Sequence, residues 1–487
     1  MLVTLFLLTV LSLALSLLFT PIIRAAALRC NLVDLPDNKR KVHKNPIPRV
    51  GGVALAAAFF GSLLAAAAFA ALKQPAANAG FAAIKSITPA ALLIFLIGLA
   101  DDIFNLKPWQ KFAVQIIAAG MVVSAGVRIH CAASLHVHPA LEIAGTVFWL
   151  VACTNAVNLI DGLDGLAAGL SFLATVTVLA ASLLSGNLAL AIATAPLAGA
   201  LLGFLVFNFN PASIFLGDSG SLLLGFLLGC YGILWSGTSV TALAMTAPLM
   251  ALAVPLLDTT LAITRRFLRQ QPIFKADRSH IHHRLLARGL SHRRTVLLLY
   301  AAGGIADSLA LCLFWAHDRW EGVVVAAFSC AALFGIRQLG YSEFEALLKV
   351  ILRGGLRREV NAELALRTFE EGLAAAKTAD DCWAAIQGGC GEFGFHAIRM
   401  QFAGRLFRAP ADRSPGRSWA MSVPVAESDW IELAHQAGPQ GFPTAIVPFA
   451  NIMRRVLADK KVQRTSSEEK TASFSAALYK TAASIAN

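Results

Sequence analysis

Apolar runs of about 20 residues, the length that spans a bilayer core as an α-helix, recur along the first 340 positions with short polar joints between them. Eleven can be drawn, at 2–23, 51–72, 87–100, 111–127, 141–154, 166–185, 188–207, 219–236, 240–263, 295–315 and 321–338. The first has no positively charged n-region and ten others follow it, which favours a retained span over a cleaved signal peptide. After about Tyr341 the pattern changes. Glu359 to Gly372 mixes charges with apolar residues at helical spacing, and Arg405 to Pro448 reads as strand and loop with Gly, Pro and Ser interspersed. The predicted fold is an all-α polytopic membrane bundle of about 11 transmembrane helices over 1–340, a small soluble α+β domain over 341–464, and a loosely ordered tail over 465–487.

Composition agrees: 57% of residues are hydrophobic and only 14% charged, which excludes a soluble globule. The net charge of +12 does not imply nucleic acid, because the basic residues cluster in joints beside spans. Seven Lys and Arg lie from Arg24 to Arg49 and nine from Arg265 to Arg294, against at most two in any joint of the opposite side. By the positive-inside rule the N-terminus is outside and the C-terminus cytosolic, in a plasma (inner) membrane. Five polar segments then share the cytosolic face: Asn31 to Arg49, Asp101-Asp102, Asn155 to Gly165, Asn208 to Ser221 and Arg265 to Arg294. The eight cysteines include no C-x-x-C pair, so neither a disulfide framework nor a zinc site is expected.

Carboxylates at the ends of apolar runs are costly to keep and suggest work at a membrane surface. Asp101-Asp102 closes the third run, where adjacent acids can hold a divalent cation, handle a proton, or simply end a helix in the headgroup zone. Asn155, Asn158 and Asp161 recur every three residues and share a face if the chain is helical there, with Asp164 following among Gly162 and Gly165. Asp218 stands among small residues in Gly217-Asp-Ser-Gly-Ser221, at a span's start, where phosphates can approach the backbone; it is the first choice for a metal ligand, and an N-cap role is compatible with that. His280, His282, His283 and Arg284 make a cationic, donor-rich loop suited to phosphate oxygens. Lys41 and Arg49 could hold an anionic headgroup, although topology alone also puts basic residues there.

Taken in order, Asp34 to Gly52, Asp101-Asp102, Asn155 to Ala167, Gly217 to Ser221 and His280-Ile-His-His-Arg-Leu285 resemble the polyprenyl-phosphate N-acetylhexosamine-1-phosphate transferases over about residues 30–300. His-Ile-His-His is similar to the WecA-like branch, which uses UDP-GlcNAc; the branch that uses UDP-MurNAc-pentapeptide carries three consecutive histidines. The resemblance implies transfer of GlcNAc-1-phosphate from UDP-GlcNAc to a polyprenyl phosphate, with magnesium, or alternatively manganese, as cofactor. It implies catalytic roles for Asp101, Asp102, Asp161 and Asp164, metal binding by Asn158 and Asp218, and substrate binding by Asn155, Lys41, Arg49 and the histidine loop. Family members often carry a further acid after the paired aspartates, where this chain has Asn105. Rival readings are the same reaction with another UDP-N-acetylhexosamine or UDP-MurNAc-pentapeptide, and a cation-coupled transporter. Regulation, homodimerisation and recruitment of a following glycosyltransferase are open roles for the C-terminal appendage.

Overall fold

The computed structural model describes residues 2–34, 46–73, 82–130, 138–237, 245–268, 280–315, 317–338, 355–393, 395–409, 418–425, 429–436 and 446–460. The chain divides into two compact units, Met1–Glu343 and Phe344–Asn487.

In the first unit the helices are α1 (Leu2–Arg29), α2 (Gly51–Lys73), α3 (Ala82–Phe104), α4 (Pro108–Ser124), α5 (Pro139–Ile160), α6 (Leu166–Leu184), α7 (Leu188–Asn208), α8 (Gly217–Ser236), α9 (Thr246–Ala251), α10 (Ala253–Leu268), α11 (Ile281–Ala287), α12 (His292–Trp315) and α13 (His317–Gln338). Many helical Ser and Thr hydroxyls return to carbonyls one turn back, as Thr154 does to Leu150 O (2.6 Å) and Thr194 to Leu190 O (2.8 Å), so they cost little in an apolar bundle. Others tie helices together: Ser16 of α1 donates to Ala200 O of α7 (2.8 Å), and Ser12 to Ala58 O of α2 (3.3 Å).

The core is built around α8, whose side chains from Ser219 to Ile233 are all buried and which packs on α2, α3, α5 and α6. A side chain at Gly52 would meet the backbone N of Gly220 at 2.1 Å, so only glycine lets α2 lie this close to the start of α8. A short antiparallel pair, β1 (Val33–Asp34) with β2 (Ile47–Pro48), precedes α2. The chain leading into α8 is tied to that entry: Phe215 N donates to Pro48 O (2.8 Å) and Gly51 N to Phe215 O (2.9 Å).

Among the described residues nine helices are long and apolar enough to cross a membrane, two fewer than the apolar runs suggest. The run at 111–127 forms α4, a 17-residue helix about 26 Å long, short of a ~30 Å bilayer core. The run at 240–263 is broken at Leu252 into α9 and α10. Both nevertheless cross from one end of the bundle to the other. α3 and α5 each end at the start of α8, so α4 must return between them: its first turns meet α3 through Lys111 and Asp101, and just past its end Ile129 N donates to Thr146 Oγ1 near the start of α5 (2.9 Å). α9 follows the far end of α8, and α10 brings Asp258 back to His280 at the acidic end (2.8 Å).

In the second unit, helices α14 (Gly355–Ala375) and α15 (Ala379–Glu392) precede strands β3 (Phe395–Phe402), β4 (Arg405–Arg408), β5 (Ser418–Pro424) and β6 (Trp430–Gln436), and α16 (Ile446–Ala458) follows. The sheet is antiparallel in the order β4-β3-β6-β5. Ile398, Met400, Phe402, Ile431 and Leu433 alternate onto one buried face, where they meet Phe369, Ile386, Phe449 and Met453 of the helices. The first strand begins ten residues before the expected start at Arg405, and Ile446 to Ala458, expected as loop in part, is helix. Thr378 caps α15 reciprocally with Asp381, whose carboxyl those hydrogen bonds hold below its usual range. The tail at 465–487 lies outside the described residues.

Candidate functional site

Asp101, Asp102, Asn155, Asn158, Asp161, Asp164 and Asp218 come from three segments and meet at one end of the bundle. The reason is topological: α3 and α5 end where α8 begins, so their C-terminal residues face its first turn.

The acids there are unequal. Asp102 is 5% exposed and uses both oxygens on α8: Oδ1 accepts from Asp218 N (2.7 Å), and Oδ2 from Ser219 N (3.0 Å) and Ser219 Oγ (2.6 Å). It satisfies donors that an isolated helix would leave open and puts a negative charge at the positive helix end. Gly217, at φ +74°, makes this possible, since a side chain there would meet Asp102 Oδ2 at 2.8 Å and Arg49 O at 2.0 Å. Asp164 Oδ2 likewise accepts from Asn210 Nδ2 and Ala212 N, both at 3.0 Å, and so holds the α7–α8 joint; Arg293 grips that joint from α12 through Asn210 O (3.0 Å).

Asp101 and Asp218 are bridged by Lys111, whose Nζ donates to Asp101 Oδ2 (2.9 Å) and Asp218 Oδ2 (2.7 Å); Asp101 Oδ1 also accepts from Leu106 N (2.6 Å). Arg49 reaches the same corner through Asn105 Oδ1 (3.3 Å). Asn105 therefore stands in a turn at φ +52°, which asparagine tolerates, and its amide oxygen holds Arg49. Asn155 pairs with Gln115 of α4 (Nδ2 to Oε1, 2.5 Å). Asn158 Nδ2 donates to Ser221 Oγ (2.9 Å), leaving its amide oxygen as a donor for a cation.

Asp161, by contrast, has no side-chain hydrogen bond among the described residues. Removal from water, and then the charges of Asp218, Asp102 and Asp164, push its carboxyl up to about 8. The donor set suits magnesium, which takes hard oxygen ligands and is commonly held by one or two carboxylates with substrate phosphates completing its shell. Among the described residues no three His, Cys, Asp or Glu form a ready cage, so the protein by itself offers only part of a coordination sphere.

The histidine loop joins this end through Gly162. A side chain at Gly162 would lie 2.5 Å from His282 Nε2, so the imidazole rests directly on the backbone of the Asn155–Gly165 loop. His282 is 2% exposed, stacks on His280 (centroids 5.8 Å, 6°) and touches His283 (4.3 Å), and neither ring nitrogen has a hydrogen-bond partner among the described residues. Burial, and then His283, push it down to about 4, so it is neutral at physiological pH. Asp258 of α10 sets the loop's attitude, accepting from Ile281 N (2.6 Å) and bonding His280 Nδ1 (2.8 Å). Arg284 lies one turn further along α11, and Lys41 lies outside the described residues.

Sequence reasoning assigned no role to Lys111, Gln115, Asn210 or Asp258, and gave Ser219 only that of a possible N-cap. Only Asp258 carried a signal strong enough to find it, an acid inside an apolar run.

Fold and site together are those of a polytopic membrane protein with an acid- and histidine-built polar site at one end of its bundle. Residues 84–236, which hold every acid of the cluster, match the family model of glycosyl transferase family 4. The chain is 39% identical over 309 residues to a probable undecaprenyl-phosphate N-acetylglucosaminyl 1-phosphate transferase of Bacillus subtilis, covering 62% of this chain and 83% of that one. It is 35% identical to a decaprenyl-phosphate N-acetylglucosaminephosphotransferase of Mycobacterium tuberculosis, over 64% of this chain and 83% of that one. A phospho-N-acetylmuramoyl-pentapeptide-transferase of Lactobacillus johnsonii is 31% identical over 43% of this chain and 66% of its own. The chain belongs to the polyprenyl-phosphate N-acetylhexosamine-1-phosphate transferases, in their WecA-like branch.

Proposed function

We propose that the protein transfers GlcNAc-1-phosphate from UDP-GlcNAc to a polyprenyl phosphate, giving polyprenyl-pyrophosphoryl-GlcNAc and UMP, at the cytosolic face of the plasma membrane. The observation that carries this reading is the seating of His282 on Gly162, which joins a nitrogen-rich loop to an acid cluster at the end of a membrane bundle. The reading is supported by relatives named for GlcNAc-phosphate transfer to undecaprenyl and decaprenyl phosphate. The cytosolic orientation rests on the excess of Lys and Arg in the joints of that end.

In the reaction an oxygen of the lipid phosphate attacks the sugar-bearing phosphorus. A new P–O–P bond forms as the bond to UMP breaks, and no covalent enzyme intermediate is required. Two anions must be brought together, so positive charge and fixed donors are the main need. Magnesium, held by Asp218 with Asn158 and Asp161, would neutralise charge on the diphosphate. Lys111 brings a cation to the same corner, and Arg49 a second within reach of an arriving headgroup. His280, His282 and His283 face the nucleotide sugar, with Asp258 fixing their attitude. Asp102 and Asp164 hold the backbone on which Asp218 and the α7–α8 joint ride. The lipid phosphate is already largely ionised, so no general base is needed.

Membranes expressing the chain should convert radiolabelled UDP-GlcNAc to a butanol-extractable lipid only with magnesium, and added UMP should reverse the labelling. Labelling from UDP-MurNAc-pentapeptide instead would move the donor and keep the reaction, while no labelling from any UDP-sugar would reject the reading. A homodimer belongs to the proposal as well, and the mass of the solubilised particle tests it.

A further inference from the structure

Among the described residues one buried acid takes no part in the site above. Asp307 stands in α12, seven residues and so about 10 Å deeper into the bundle than Tyr300, whose hydroxyl bonds Gly165 O at the polar end (2.5 Å). It is 6% exposed, and its Oδ1 has no hydrogen-bond partner among the described residues; Thr177 bonds the carboxyl from α6. It lines a small cavity with room for about one water-sized particle, together with Val157, Leu170, Ser171, Ala251 and Pro255. Ser171 is 2% exposed, and its hydroxyl also has no partner among the described residues. Pro255 has no N–H to give to the Ala251 carbonyl one helical turn back, which is where α9 breaks from α10. A carboxylate, a hydroxyl and the residue at which the α9–α10 backbone breaks therefore line one small space, and none of the residues lining that space is basic.

We propose that Asp307, Ser171 and the broken α9–α10 backbone form a binding site for one monovalent cation of about the size of sodium. A buried carboxylate in an apolar bundle must be neutralised, either by a proton or by a cation. Two buried oxygens without a partner on one cavity, Asp307 Oδ1 and Ser171 Oγ, favour a cation, a single negative charge matches a single positive one, and the space suits an ion no larger than water. Val157 lies between Asn155 and Asn158 on α5, so the site sits directly behind the catalytic segment, sharing its apolar Val157 and Ile160 but none of its polar side chains. The proposal does not depend on the sugar donor.

The test is binding of radioactive sodium to purified full-length protein in detergent, without magnesium, with choline keeping ionic strength constant. One saturable sodium per chain is expected, accompanied by a rise in melting temperature. Ser171→Ala should bind about tenfold more weakly, as loss of one ligand worth about a tenfold factor implies, and Asp307→Asn should bind none. Should Asp307→Asn fail to fold, Ser171→Ala decides. Absence of saturable sodium binding, or binding unchanged in Ser171→Ala, overturns the proposal; melting that follows pH and ignores sodium would assign the neutralising charge to a proton.

Discussion

Replacing Asp102 by asparagine separates holding from chemistry. The carboxylate accepts three hydrogen bonds from the first turn of α8, and asparagine offers one oxygen and one NH2 in their place. With the oxygen toward Ser219, the amide nitrogen abuts the Asp218 N–H. With the amide reversed, it abuts the Ser219 N–H, and only the hydroxyl can turn to accept. Either way one backbone donor in a buried place loses its acceptor and the surviving bonds lose their charge. A charge-assisted bond is worth about 1.5–3 kcal/mol, and a negative charge at a helix N-terminus about 0.3–2 kcal/mol, so the variant should lose about 2–5 kcal/mol. Because the donor left without an acceptor is the backbone of Asp218 or of Ser219 beside it, the magnesium concentration for half-maximal turnover should rise and kcat should fall. The KM for UDP-GlcNAc, set by the histidine loop, should change less. Thermal melting of the solubilised protein and steady-state kinetics across a magnesium titration measure all of these. Ser219→Ala, which removes one bond of the three, should give a weaker form of the same pattern, about 1 kcal/mol. Unchanged melting together with abolished turnover would refute the reasoning and make Asp102 a participant in the reaction.

Asp218→Asn should abolish magnesium-dependent turnover while the protein still inserts, as a membrane extraction and the lipid-labelling assay would show. Lys111→Met should lower kcat by about 10²–10³, the usual effect of removing one transition-state charge partner, and full activity would remove Lys111 from the site. Gly162→Ala puts a methyl 2.5 Å from His282 Nε2 and should raise the KM for UDP-GlcNAc at least about tenfold (~1.4 kcal/mol) with little change in melting; an unchanged KM would detach the histidines from the donor. Asp161 makes metal-free stability depend on pH. Its folded pKa of about 8 lies above the ordinary carboxylate value near 4, so the folded state holds the proton more tightly. The penalty is absent below about pH 4 and grows until pH passes about 8. Melting temperature in EDTA should therefore fall between about pH 5 and 8 and level off above that, and Asp161→Asn should flatten the fall.

The eleven crossings were legible because burial in lipid demands about 20 apolar residues whatever the packing, and even the short α4 and the broken α9–α10 are read correctly as returns between two ends. The break itself follows from Pro255, visible as a proline but not as a division of one run into two helices. β3 was missed although Ile398, Met400 and Phe402 alternate, because the strand reading began only at Arg405, where Gly, Pro and Ser mark the turns. In the site, the acids could be found by their cost, but their division of labour could not. Asp102 is served by residues 116 and 117 positions away, and Asp164 by one 46 away, so nothing local distinguishes them from Asp161. Packing consumes the oxygens of Asp102 and much of Asp164 on backbone and amide donors, gives Asp101 and Asp218 one lysine between them, and leaves Asp161 with no donor among the described residues. Five carboxyl groups against one half-buried lysine is an arrangement that the folded chain balances only by leaving a proton on Asp161, and a divalent cation arriving on a diphosphate would supply the missing positive charge. The same reasoning extends inward to Asp307, where a single carboxylate calls for a single charge.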